Sequence, residues 1–125
     1  MQNSKILTIL IEKNLRKIEL VHFYADTILR FVNGKDYIDF ENDLQLHFAT
    51  AFALTQIDIE MERLSSDFYE DHFGSGLEQF ATVCYQLIHE YDEIEKITIW
   101  DAVQKYIPSL LKQCTEILRS EGRVL

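Results

Sequence analysis

Glycine and proline are scarce in this chain, with four and one among 125 residues. An all-β fold with frequent tight turns needs more of both, because those turns draw on glycine's positive φ and proline's fixed φ. Two cysteines cannot build a disulfide framework. No apolar run approaches the ~20 residues of a membrane span. The apolar stretch nearest the N-terminus, Ile6 to Ile11, is interrupted by Thr8 and followed by charges. It has no small-residue cleavage site, which argues against a signal peptide. A cytoplasmic location is expected, with Cys84 and Cys114 as reduced thiols. Basic residues are also in short supply: 12 Lys and Arg stand against 21 Asp and Glu, for a net charge of −9. Phosphate contacts need a basic surface, so the expectation is no direct nucleic-acid contact.

Apolar residues make up 47% and aromatics 12% of the chain, enough for a core and for one domain spanning 1–125. Their spacing is helical. Leu7, Ile11, Asn14, Ile18, Val21, Ala25, Ile28 and Val32 alternate steps of four and three, and Asn33-Gly34 ends the run. A second segment, about 36–64, carries Tyr37, Phe40, Leu44, His47 or Phe48, Ala51, Leu54 and Met61 with no glycine or proline. Residues 55–62 alternate apolar and acidic, but they continue this stripe and read as helix. Residues 65–74 form an irregular stretch with room for a single helical turn. A third helix opens on a Ser75-x-x-Glu78 capping box and a fourth on Thr98-x-x-Asp101. Pro108 predicts a kink or break near Tyr106 in the fourth. The expected fold is all-α: an antiparallel four-helix bundle of up-down topology, with a short irregular or single-turn segment between helices 2 and 3.

Charge is segregated along the chain. Residues 1–35 carry +3, residues 36–95 carry −14 and residues 96–125 carry +2. In an up-down bundle this makes an acidic side from helices 2 and 3. Such a field attracts a basic partner and speeds its encounter. The 65–74 stretch interleaves Phe68, Tyr69, His72 and Phe73 with acids, a composition suited to contact surfaces. The two phenylalanines are expected to fold back over the end of the bundle, and Tyr69 to face a partner.

Catalytic and metal chemistries find thin support. Glu19-x-x-His22 has di-iron spacing but occurs once and lies off its stripe. Asp43-x-x-x-His47 and His89-x-x-x-Glu93 put ligand types one turn apart, yet His89 faces outward. Arg16-x5-His22 is similar to the Arg-x4–6-His spacing of HEPN-type ribonucleases, themselves small helical proteins. Its two side chains point about 120° apart around a helix, and an acidic surface repels RNA. That chemistry is therefore set aside. Glu90-x-x-Glu93 lacks the second pair that a Mg²⁺-dependent pyrophosphohydrolase needs. Both cysteines lie on core stripes, where thiols are inert. Asn14 and Asp58 interrupt their stripes and are expected at a wet stripe edge.

The resulting expectation is a non-enzymatic acidic protein-binding module of the inhibitor or immunity type, without cofactor or catalytic residues. It would occlude a basic protein partner such as a toxin or nuclease. The proposed contacts are Asp39, Glu41, Asp43, Glu60, Glu62, Asp67, Tyr69, Glu70 and Asp71. One alternative is a metal-binding bundle, enzyme or sensor, using His47 with Asp43 and Asp58. Another is a structural homodimer.

Overall fold

Six helices carry the secondary structure of residues 2–123 and 125, which the computed structural model describes: α1 Gln2–Val32, α2 Tyr37–Asn42, α3 Leu44–Glu62, α4 Ser66–His72, α5 Glu78–His89 and α6 Lys96–Ser120. The fold is all-α, and no strand occurs among the described residues. α1 packs on α3 and α6, α5 packs on the same two helices, and α2 wedges against α3 and α6. No described helix is long and apolar enough to cross a membrane.

The 3-4 stripe of α1 holds for most of its length. Ile18, Val21, Ala25 and Ile28 are fully buried, each of the larger ones worth roughly 1.5–3 kcal/mol of burial. Its beginning departs from expectation. Leu7 is 59% and Ile11 46% exposed, because no other element of the described residues covers the first turns. The C-terminal stop is as expected: Gly34 adopts φ +73°, and the Lys35 N–H donates to the Val32 carbonyl at 2.9 Å.

The expected unbroken helix over 36–64 is two helices. Asp43 sits between them in extended backbone, φ −115° and ψ 95°. Its side chain accepts the Leu46 N–H at 3.0 Å, capping α3. Asp36 and Asp39 form a reciprocal capping box at the start of α2. An aspartate can therefore break a helix where neither glycine nor proline is present. Residues 55–62 are helical, as their stripe implied.

Three further details correct the sequence reading. The expected single turn is the seven-residue α4. Neither expected capping box forms: α5 starts after Leu77 and α6 after Glu95, without side-chain caps. α6 also runs through Pro108 without a break. Pro108 and Gln104, whose carbonyl loses its partner, both lie on the exposed face, where water can reach them. Phe73 is buried as expected, while Phe68 and Tyr69 lie half-buried against the core.

Both cysteines are free and fully buried. Burial pushes the Cys114 thiol up to about 12 and moves Cys84 in the same direction. Asn14 is not at a wet edge: it is 6% exposed. Its amide donates to Ser65 Oγ and accepts the Ser65 backbone N–H, both at 3.0 Å, tying α1 to the entrance of α4.

Candidate functional site

The polar centre of the molecule lies where α3 begins and α5 ends. Asp43 starts α3, and one turn later His47 points inward at 5% exposure. Its Nδ1 lies 2.8 Å from the Tyr91 hydroxyl, from the segment just after α5. Phe40, Phe48 and Tyr91 surround the imidazole at ring distances of 5.4, 5.8 and 5.6 Å. Trp100 of α6 closes the cluster, 5.3 Å from Phe40. Desolvation, and then the nearby Lys96 charge, hold the His47 pKa below its ordinary value. Lys96 itself donates to the Glu41 carbonyl at 3.0 Å. His47 is thus a neutral ring whose Nε2 is buried without a partner. It anchors Tyr91 and is screened from any substrate.

The accessible histidine here is His89, the last residue of α5 and two residues before Tyr91. It is exposed, and its ring lies 4.4 Å from that of Tyr85 one turn back. Phe48, Phe52 and Ile88 are also exposed, at 50, 61 and 47%. Together with Tyr91 they line a shallow groove of about 280 Å³ between α3 and α5. An exposed imidazole can exchange protons with a ligand. Exposed aromatic faces can stack bases.

The nine acidic-surface residues do not form one patch. Asp39, Glu41 and Asp43 lie around α2 and the start of α3. Glu60, Glu62, Asp67, Tyr69, Glu70 and Asp71 lie around the end of α3 and on α4. The nineteen residues of α3 separate the two groups by about 28 Å, at 1.5 Å per residue. The first group is partly committed to structure. Asp39 completes a capping box, Asp43 caps α3, and Glu41 accepts the Tyr37 hydroxyl at 3.0 Å. Tyr69 is half-buried rather than presented to solvent.

The metal alternative also meets a geometric correction. Asp58 lies eleven residues beyond His47 on α3, about 16 Å along the axis. Asp43 caps its helix, and among the described residues no three His, Cys, Asp or Glu converge as ligands. Asp58 is not at a wet edge but 6% exposed, beside Glu62. Arg16 is exposed and His22 half-buried on α1, and their spacing keeps them on different faces. The spacing Arg-x4–6-His occurs only there; the positions upstream of His89 hold Thr82, Val83 and Cys84. Sequence reasoning placed Tyr91 on a core stripe and missed its bond to His47, because the two are 44 residues apart.

Comparison with known proteins bears directly on this site. The family model HepT-like, described as "Ribonuclease HepT-like", matches residues 11–117. Three curated relatives carry the name "Putative RNase". MJ0125 of Methanocaldococcus jannaschii is 25% identical over 77% of this chain and 83% of its own length. MJ1216 of the same organism is 25% identical over 80% and 84%. TTE0752 of Caldanaerobacter subterraneus subsp. tengcongensis is 33% identical over 78% and 87%. No solved structure matches. These matches overturn the expectation of an inhibitor or immunity-type protein, because they group the chain with proteins named for the activity such an inhibitor would block.

Proposed function

The chain belongs to the HepT-like family, and on that premise we propose that it is a ribonuclease whose acid–base group is His89. The observation that carries this reading is the family match across 11–117. The geometry supports His89 over the other three histidines. His47 is sealed in the core, and His22 is half-buried. His72 stacks on Phe68 of α4, away from the aromatic groove that α3 and the end of α5 line. His89 is exposed beside Tyr85 and follows Ile88, which lines the aromatic groove, in sequence. In the proposed reaction, the imidazole removes the proton of a ribose 2′-hydroxyl. That oxygen attacks the adjacent phosphorus, and the bond to the 5′-oxygen breaks. A second acid protonates the departing oxygen. Tyr91, held by His47, fixes the backbone that carries His89.

This reading reverses the argument from net charge. A total of −9 describes the whole surface, whereas substrate binding depends on the local field. Lys13, Arg16 and Lys17 make a basic stretch on α1, which packs on α3 and α6, while Glu90, Asp92, Glu93 and Glu95 follow His89, so RNA binding would draw on the α1 stretch and not on the flank of the histidine.

The test is cleavage of a mixed-sequence RNA by the purified chain, with His89→Ala and His22→Ala in parallel. The expected outcome is a loss of about 10²- to 10⁴-fold in rate for His89→Ala and little change for His22→Ala. Full activity in His89→Ala would refute the assignment. A loss confined to His22→Ala would move the centre to the Arg16–His22 pair of α1.

The finer reading of the molecule belongs to the same proposal. It has residues 1–125 as one cytoplasmic domain, with α1, α3, α5 and α6 as an antiparallel up-down bundle. The packing of each of these helices on two of the others supports that order. The two acidic groups at the ends of α3 are proposed contacts for a basic protein partner.

A further inference from the structure

The first helix carries two stripes. One turns Ile18, Val21, Ala25 and Ile28 into the bundle. The other runs from Ile9 through Lys13, Arg16, Leu20 and Phe23 to Phe31 at the same helical spacing, roughly 130° round the helix. No element of the described residues closes over it: Ile9 is 54%, Phe23 60% and Phe31 38% exposed, with Leu20 half-buried between them. Single apolar residues on a surface are ordinary, but a regular row of them marks a contact face. The charges on this face have one sign. The three acids of α1 lie beside the stripe and are held elsewhere: Arg123 pairs with Glu12 and Glu19, and Arg30 pairs with Asp26 at 3.0 Å. Lys13, Arg16 and Lys17 enter no ion pair among the described residues. Two turns on, the rings of Phe23 and Tyr24 meet edge to face at 5.4 Å. Along its length the face is therefore apolar, then cationic, then aromatic.

We propose that this face pairs with the same face of a second copy of the chain, the two α1 helices lying antiparallel about a two-fold axis at Leu20. A two-fold interface must be complementary to itself. With Leu20 opposite its own copy, Lys17 of one chain meets Phe23 of the other, and Arg16 meets Tyr24. Lys13 meets Thr27, and Ile9 meets Phe31. Each cation then faces a ring or a hydroxyl, and cations are attracted to aromatic faces. A parallel pair would instead set Lys13 on Lys13 and Arg16 on Arg16. In the antiparallel pair the two Arg16 residues stand about 12 Å apart along the axis, beyond the ~8 Å screening length at physiological salt. The aliphatic stems cover the rings and the charged heads reach water at the edges, so the basic stretch stays open to an anion. From Ile9 to Phe31 the contact is about 33 Å long and about 10 Å wide. That is the low end of specific interfaces, so association is expected in the micromolar range. The pairing does not involve His89 and does not depend on the ribonuclease reading.

Sedimentation of the full chain across the micromolar range tests the proposal. The expected result is a monomer–dimer equilibrium that Phe23→Glu shifts at least about tenfold toward monomer, since an aromatic near the centre of an interface carries much of its energy. Phe52→Glu, on the groove between α3 and α5, should leave the equilibrium unchanged. Both side chains are exposed, and circular dichroism confirms that each variant is folded. Introduced cysteines read the register, because Cys84 and Cys114 are buried and inert. Leu20→Cys should form a disulfide-linked dimer under mild oxidation. Ile9→Cys alone should not, because its two copies lie about 33 Å apart, but it should link to Phe31→Cys when the two variants are mixed. The proposal is overturned if the chain is a monomer throughout, if Phe52→Glu dissociates the dimer as much as Phe23→Glu does, or if Ile9→Cys links to itself as readily as Leu20→Cys.

Discussion

At one end of α3 a buried histidine is paired with a tyrosine; at the other a buried aspartate is paired with a second acid. His47 meets the Tyr91 hydroxyl and three aromatic rings. Asp58 meets Glu62 and an open cleft. Desolvation drives both side chains toward the neutral form: it lowers the His47 pKa and raises that of Asp58. Their effects on stability then run in opposite directions with pH. The folded chain holds the His47 proton less tightly than the unfolded chain does. That end therefore loses stability as pH falls below the ordinary histidine value of 6.5. The folded chain holds the Asp58 proton more tightly. That end loses stability as pH rises from the ordinary 3.8 toward about 6. A closed, aromatic environment makes a neutral residue structural. An open, acidic one leaves two carboxyl groups sharing a hydrogen bond beside a cleft.

The largest expected effect that sharpens this contrast is at the histidine end. Phe40 is fully buried between His47 and Trp100. Phe40→Ala should cost about 3–5 kcal/mol in urea unfolding, through lost burial and the cavity left behind. A cost below about 1 kcal/mol would mean the aromatic cluster is not packed as described. At the other end, Asn14→Ala removes both bonds to Ser65. It should cost about 2 kcal/mol by the same measurement, because the Ser65 N–H loses its acceptor.

Asp58→Asn should do the reverse and raise stability by about 1 kcal/mol at neutral pH. That is less than the full ionisation cost, because the cleft opens to water. The gain should vanish below pH ~4, where the wild-type carboxyl is protonated in both folded and unfolded chains. An equal gain at both pH values would show that charge is not its cause. An effect of similar size and opposite sign is expected for Tyr91→Phe, which removes one hydrogen bond to His47. It should cost about 1 kcal/mol, read as a shift of the urea midpoint at unchanged slope. The comparison breaks if this variant is neutral while its RNA cleavage is normal, since Tyr91 would then anchor nothing.

Much of the fold was legible because helical burial repeats at short range. The steps of four and three that carry Ile18, Val21, Ala25 and Ile28 to the core lie within a few turns of one another. The Asn33-Gly34 stop needs only local backbone geometry. The division of 36–64 was not legible from periodicity, because the stripe continues across Asp43 in both helices. The cue was the aspartate itself, a strong N-cap residue three positions before Leu46. The exposed start of α1 shows the opposite failure. Leu7 and Ile11 satisfy the pattern, but no helix is there to cover them.

The candidate site was less legible than the fold. Sequence alone showed that His89 faces out, that His47 faces in and that Asp58 interrupts a stripe. It also held the arginine–histidine spacing at Arg16 and His22, set aside because the two side chains point about 120° apart on a helix and because the net charge is acidic. Net charge sums over the whole surface and says nothing of the field at one groove.

Local patterning by itself determined the helical class, the inward faces and the segregation of charge along the chain, because each depends on neighbours a few residues apart. Tertiary structure alone decided that Tyr91 holds His47, that Asn14 is satisfied by Ser65, and that Asp58 is buried beside an open cleft. Those outcomes depend on contacts across 44 and 51 residues and on which faces the helices cover. Hydrogen bonds and desolvation act over a few ångströms of space, whatever the distance along the chain.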